Sequence, residues 1–182
     1  MELLNLQSAV GSICFEQIDS FGAIESTKKG NMEPEISGEL VFLHYAYFCI
    51  EIKMRRGFIG SFEAAELTRL VECMGIPTHR LLWRCFPSAV EKYVDSIGVD
   101  PFDLRPWTAE SVRAFWRNHK GRVRECDTIR GIVDSVNEIS AMIVVGDKRV
   151  RVFNKHKFSI SPGDTAFCHL FGIAEVSKKA SG

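Results

Sequence analysis

Residues 128–176 read TIRGIVDSVNEISAMIVVGDKRVRVFNKHKFSISPGDTAFCHLFGIAEV, and their pattern decides the fold. Residues 128–136 and 140–145 are rich in β-branched side chains, which suit a pleated, half-buried surface. Gly146-Asp147, set between Val145 and Lys148, is a two-residue hairpin signal. Arg149-Val150-Arg151-Val152 alternates at the period of a strand. Ser161-Pro162-Gly163-Asp164 is a turn. Residues 165–171 and 173–176 give the last strands, parted at Gly172. Several short strands separated by turns predict a small β-barrel of the OB or SH3-like kind.

Upstream the period changes from two to that of a helix. The run from Leu40 to Ile50 is apolar almost without interruption, only His44 standing inside it. A helix over 38–55 that is apolar on all sides is buried, or lies in an oligomer interface. It is too short to span a bilayer, which takes about 20 residues. Ser61 is a plausible N-cap for a second helix, with Phe62, Ala65, Leu67, Leu70, Val71 and Met74 as its apolar stripe. Helices over 78–86, 89–97 and 109–119 follow, the last capped by Thr108. Residues 1–25 allow a helix broken near Gly11, and 26–37 read as a linker. The fold expected is therefore α+β, with a helical region over 1–120, a small barrel over 121–178 and a frayed tail. Trp107, Phe115 and Trp116 precede the switch of period and are expected at the seam.

A net charge of zero conceals a dipolar chain. Residues 1–52 carry two Lys/Arg against eight Asp/Glu, a net −6; residues 105–157 carry twelve against six, a net +6. Such a split bears on partners more than on fold. Six cysteines lie at 14, 49, 73, 85, 126 and 168, with no Cys-x-x-Cys pair. With no secretory leader recognised, this spacing suggests reduced thiols and a cytoplasmic protein.

Two segments point to nucleic acid. Residues 61–86 resemble a helix-turn-helix, with Leu70 and Val71 inward, Gly75 permitting the turn, Ile76 plugging the core and Thr78 capping the second helix. Val71 stands where such motifs usually have a small Ala. In that reading Thr78, His79, Arg80, Trp83 and Arg84 face the groove, with His79, Arg80 and Arg84 as base contacts. An ordinary helical hairpin with Trp83 in the core is the alternative. The second segment is the basic stretch around the barrel, in which Arg113, Arg117, Lys148, Arg149 and Arg151 are candidate phosphate contacts. Phe153 and Phe158 could stack on bases; equally, both could fill the barrel while the charges protect its edges.

No P-loop, Gly-x-Ser-x-Gly or dinucleotide fingerprint is present. Cys73, His79 and Cys85 lack the short pairing of a zinc site, and adjacent Cys168 and His169 point to opposite faces of a strand. No cofactor, metal or catalytic residue is expected, although dispersed residues could still form an active site. Gly131-Ile132-Val133, Val150, Val152, Gly163-Asp164 and Gly172-Ile173-Ala174 resemble the small barrel of the hydrogenase-maturation chaperones. This chain opens Met1-Glu2 where that family opens Met-Cys, so the resemblance implies a fold and not a function. The expected role is a non-enzymatic regulatory or binding protein that contacts nucleic acid. The alternative is a protein-interaction or assembly accessory module, self-associating through the helix from Leu40 to Ile50.

Overall fold

The computed structural model describes residues 36–99, 105–120 and 126–180. The expected helix near Gly11 and all but the last two residues of the expected linker lie outside them. The helical part comprises α1 (Gly38–Ala46), a 3₁₀ turn (Tyr47–Cys49), α2 (Ile50–Arg55), α3 (Ser61–Glu72), α4 (His79–Cys85), α5 (Pro87–Ile97) and α6 (Ala109–Arg117). Five strands follow: β1 (Ile129–Val136), β2 (Ser140–Val145), β3 (Lys148–Phe153), β4 (Thr165–His169) and β5 (Gly172–Ser177). The fold is α+β, with helices before a small barrel.

Three helices, α1, α4 and α6, start where the sequence supplies a side-chain partner for the orphan amides of the first turn. Ser37, Thr78 and Thr108 accept from the backbone N–H groups of Leu40, Leu81 and Ser111, each at 3.2 Å. Pro87 occupies the first turn of α5, where its missing N–H is not needed. Gly60, not Ser61, is the N-cap of α3. The long helix expected over 38–55 is interrupted by the 3₁₀ turn.

All nine residues of α1 are buried within the chain. The apolar run from Leu40 to Ala46 is thus covered by the chain's own core, while Tyr47, Phe48 and Cys49 remain half-buried. Around Phe42 stand Trp107 and Trp116, each 5.2 Å away between ring centroids, and Tyr93 at 6.0 Å. Trp116 does lie at the seam, stacked on Tyr45 at 5.4 Å and edge-on to His169 at 5.3 Å. Trp107 packs instead within the helices.

The barrel closes in the order β1-β2-β3-β5-β4, with β4 returning to β1 and β3 parallel to β5. Within the OB-or-SH3 expectation, this order is the OB kind. Val133, Ala141, Ile143, Val152, Ala166, Cys168 and Ile173 fill it. Helices and barrel belong to one compact unit spanning 34–182. Glu175 on β5 joins them: it accepts from Tyr45 Oη at 2.7 Å and Arg117 at 2.5 Å, and pairs with Arg113 at 3.1 Å.

The C-terminus of α3 shows how local chemistry can depart from the obvious residue. Gly75 was expected to make the turn, yet Met74 takes the left-handed conformation, with φ of 53°. Gly75 N–H donates to the Leu70 carbonyl at 2.7 Å and Met74 N–H to that of Val71 at 3.3 Å, which is a Schellman close. Met74 is exposed, so nothing packed is lost by removing its side chain. Met74→Gly is expected to raise stability by about 1 kcal/mol, the penalty of a left-handed non-glycine residue. An unchanged or lower urea midpoint would contradict this.

Candidate nucleic-acid interface

The outer surface of β1, β2 and β3 combines positive charge with uncovered apolar side chains. Along β3, Arg149, Arg151 and Phe153 project outward while Val152 is buried. Arg151 lies opposite Met142, Arg149 opposite Val144, and Val144 opposite Ile132. Met142 and Val144 are half-buried, and Ile132 is exposed. An arginine row thus borders an apolar strip. Arg149 reaches Asp134 at 3.4 Å; among the described residues Lys148 and Arg151 form no ion pair.

Two turns extend this face. Asn154 N–H donates to the Ile139 carbonyl at 3.0 Å, and Phe153 N–H to that of Phe171 at 2.8 Å. The β1–β2 and β4–β5 turns therefore flank Phe153. Ile139, Phe153 and Phe171 are 67%, 43% and 51% exposed. Residues 170 and 171 were expected to continue a strand. Instead β4 stops at His169, and Leu170 (φ 48°) and Phe171 (φ 62°) form a tight hairpin turn. Positive φ at both central residues belongs to the turn type that normally takes Asn-Gly, because bulky side chains crowd the following carbonyl. The chain accepts that strain and presents an aromatic ring at the tip.

The other expected contacts have different fates. His79 faces inward: its Nε2 lies 2.9 Å from Glu39 Oε1, and its ring stacks on Trp107 at 4.6 Å. Glu39, itself buried, also accepts from the Trp107 backbone N–H at 2.8 Å. His79 is thus half-buried and already engaged by Glu39 and Trp107. Arg84 pairs with Glu63, tying the last turn of α4 to the first turn of α3. Ile76 is 66% exposed rather than plugging a core. The segment is a helical hairpin without the plug that a helix-turn-helix requires, although Arg80 and Trp83 do face solvent. Arg113 and Arg117 serve the seam through Glu175, and Arg117 also covers the Phe167 ring at 4.4 Å. Phe158 packs against the barrel core and edge-on to His44 at 5.5 Å, so of the two phenylalanines only Phe153 is presented.

The remaining histidines are buried or half-buried. His44 and His156 stack at 4.8 Å, with His156 Nε2 2.9 Å from the His44 carbonyl oxygen. Cys49 Sγ lies 3.3 Å from His169 Nε2. Burial pushes the Cys49 thiol up to about 12 and His169 down to about 4, so at neutral pH the pair is thiol and imidazole. That is the wrong state for a nucleophile, which needs the thiolate. Burial likewise lifts Cys168, inside the barrel, to about 12. Among the described residues no group of three His, Cys, Asp or Glu side chains is placed to hold a metal. No described helix is long and apolar enough to cross a membrane.

Phe171 was missed because a Leu-Phe pair carries no turn signal in sequence. Compared with models of known families, curated proteins and solved structures, the chain matches none.

Proposed function

We propose that this protein binds single-stranded nucleic acid, without catalysis, on the outer face of its barrel. The observation that carries the reading is the strained Leu170-Phe171 turn, which holds an exposed aromatic ring beside Phe153 and the Arg149–Arg151 row. Strain retained at a surface tip calls for a reason outside folding. OB-type barrels bind oligonucleotides with strands 2 and 3 and with the two turns that flank Phe153 here. Bases stack on Phe153 and Phe171, while Arg149 and Arg151 on that face, with Lys148 at the hairpin end of β3, take the phosphates. A single strand suits this better than a duplex, since paired bases hide the faces that aromatic rings need.

The test is fluorescence anisotropy with labelled single-stranded DNA, single-stranded RNA and duplex across a salt series. Three phosphate contacts give a slope of log K against log salt of about −2. Phe171→Gly separates the site from the fold. It relieves the turn, so stability holds or rises, while loss of one stacking platform weakens binding by about 1–3 kcal/mol. Preference for duplex, or Phe171→Gly binding as the parent does, would sink the proposal.

A second reading rests on the uncovered Ile132–Val144–Met142 strip beside the arginines, which suits an acidic, apolar protein segment. No nucleic-acid binding at low salt would make a protein-interaction or assembly accessory role the leading account.

A further inference from the structure

An acid, Asp134, stands on the arginine-bearing face of the barrel, where it would repel a phosphate. Its place is not an accident of strand alternation. Along β1, Val133 pairs with Ile143 and Ser135 with Met142, and the register slips between them, so Asp134 is the extra residue of a β-bulge. Bulges re-aim side chains, and here Asp134 and Ser135 are exposed one after the other. The Asp134 carboxylate meets Arg149 of β3 across β2, with Oδ2 3.4 Å from Nη2. That is longer than a charge-assisted hydrogen bond, about 2.7–2.9 Å, so neither group spends its hydrogen-bonding capacity on the other. Among the described residues the carboxylate has no other partner. The Arg149 side chain is 70% exposed and that of Asp134 34%, and an ion pair this open does little for stability. Beside the pair lies an apolar floor: exposed Ile132 is opposite half-buried Val144, and Val144 is opposite Arg149.

Resting on the single-strand reading above, we propose that Asp134 and Arg149 make this face selective for guanine. Side by side they present a donor and two acceptors: an N–H of Arg149 and the two oxygens of Asp134. The Watson–Crick edge of guanine is the complement, with an acceptor at O6 and donors at N1 and N2 in a row. Arg149 donates to O6, Asp134 accepts from N1–H and N2–H, and the ring lies on Ile132 and Val144. Adenine sets its N6 donor against the arginine and its N1 acceptor against the carboxylate. Thymine has a single N–H between two carbonyl oxygens, one of which would face the acid. Cytosine repeats the donor and acceptors of the pair itself. A guanidinium has five N–H donors, so the O6 contact leaves others for a phosphate.

The experiment is fluorescence anisotropy of the full chain with labelled short oligothymidines that carry one central guanine, adenine, cytosine or hypoxanthine, or none. The guanine strand is expected to bind about tenfold more tightly than the adenine, cytosine and all-thymine strands. Hypoxanthine, which lacks the N2 amine, should fall between. Asp134→Asn should abolish the preference, because its amide puts a donor where guanine also donates. It should also tighten the all-thymine strand, by removing a negative charge beside the phosphates. Phe171→Gly should weaken every strand by a like factor and keep the preference, which separates stacking from base reading. Equal binding of all strands by the parent would overturn the assignment and leave the single-strand reading standing. So would Asp134→Asn tightening the guanine strand as much as the others, since the carboxylate would then only repel phosphate. Binding of no strand at low salt would overturn both.

Discussion

Lowering the pH from 7 to 5 removes about 2 kcal/mol of stability for each of His44, His156 and His169. Burial, with His156 alongside, pushes His44 down to about 3; burial alone dominates in holding His156 and His169 at about 4. An unfolded histidine takes up its proton near pH 6.5. Between that value and the folded one, only the unfolded chain gains the proton. The stability these groups contribute is therefore complete above about pH 6.5 and lost as pH falls toward 4. Three such groups together amount to about 6 kcal/mol, comparable with the whole stability of a typical domain, about 5–15 kcal/mol. Burial leaves no remedy nearby, since His44 Nε2, His156 Nδ1 and His169 Nδ1 have no hydrogen-bond partner. His44–His156 and Cys49–His169 both bridge helices to barrel, so charging them separates the two layers. Urea melts at pH 7, 6 and 5 measure this. His156→Gln should flatten the dependence by about one third; a parent profile already flat over that range would refute the account.

Gly38→Ala is expected to cost about 3 kcal/mol or to prevent folding. Gly38 N–H donates to the Trp107 carbonyl at 3.1 Å, which pins the start of α1 to the segment before α6. A methyl on Gly38 would sit 2.6 Å from the Trp107 carbonyl carbon, 2.8 Å from its Cβ and closer still to the carbonyl oxygen. Those are mostly backbone atoms, which no rotamer change can move aside. Relief would need α1 to withdraw from Trp107, and with it Glu39, which holds the Trp107 N–H and His79. A urea midpoint within error of the parent would show that this junction is softer than its packing implies.

The fate of the basic residues shows where reading from sequence ends. Alternation along β3 placed Arg149 and Arg151 on one face, and they stand there because a strand's period depends only on its own backbone. Arg113 and Arg117 looked equivalent to them by composition. Their partner is Glu175, 58 positions beyond Arg117 and 130 beyond Tyr45, and no local pattern records that meeting. His79 was drawn inward in the same way, by Glu39, 40 positions earlier. Phe171 went the other way, from a strand residue to a presented ring, because hairpin closure forced two bulky residues through positive φ.

By itself the sequence determined the elements: the strand runs of the barrel, the caps at Thr78 and Thr108, and an apolar α1 that had to be covered. These follow from interactions within a few residues, or from the period of hydrophobicity. Only the tertiary structure decided that α1 is covered by its own chain, that the barrel closes in the OB order, and which cations remain at the surface. Each of those depends on contacts between residues far apart in sequence, where burial and pairing are settled by packing, not by pattern.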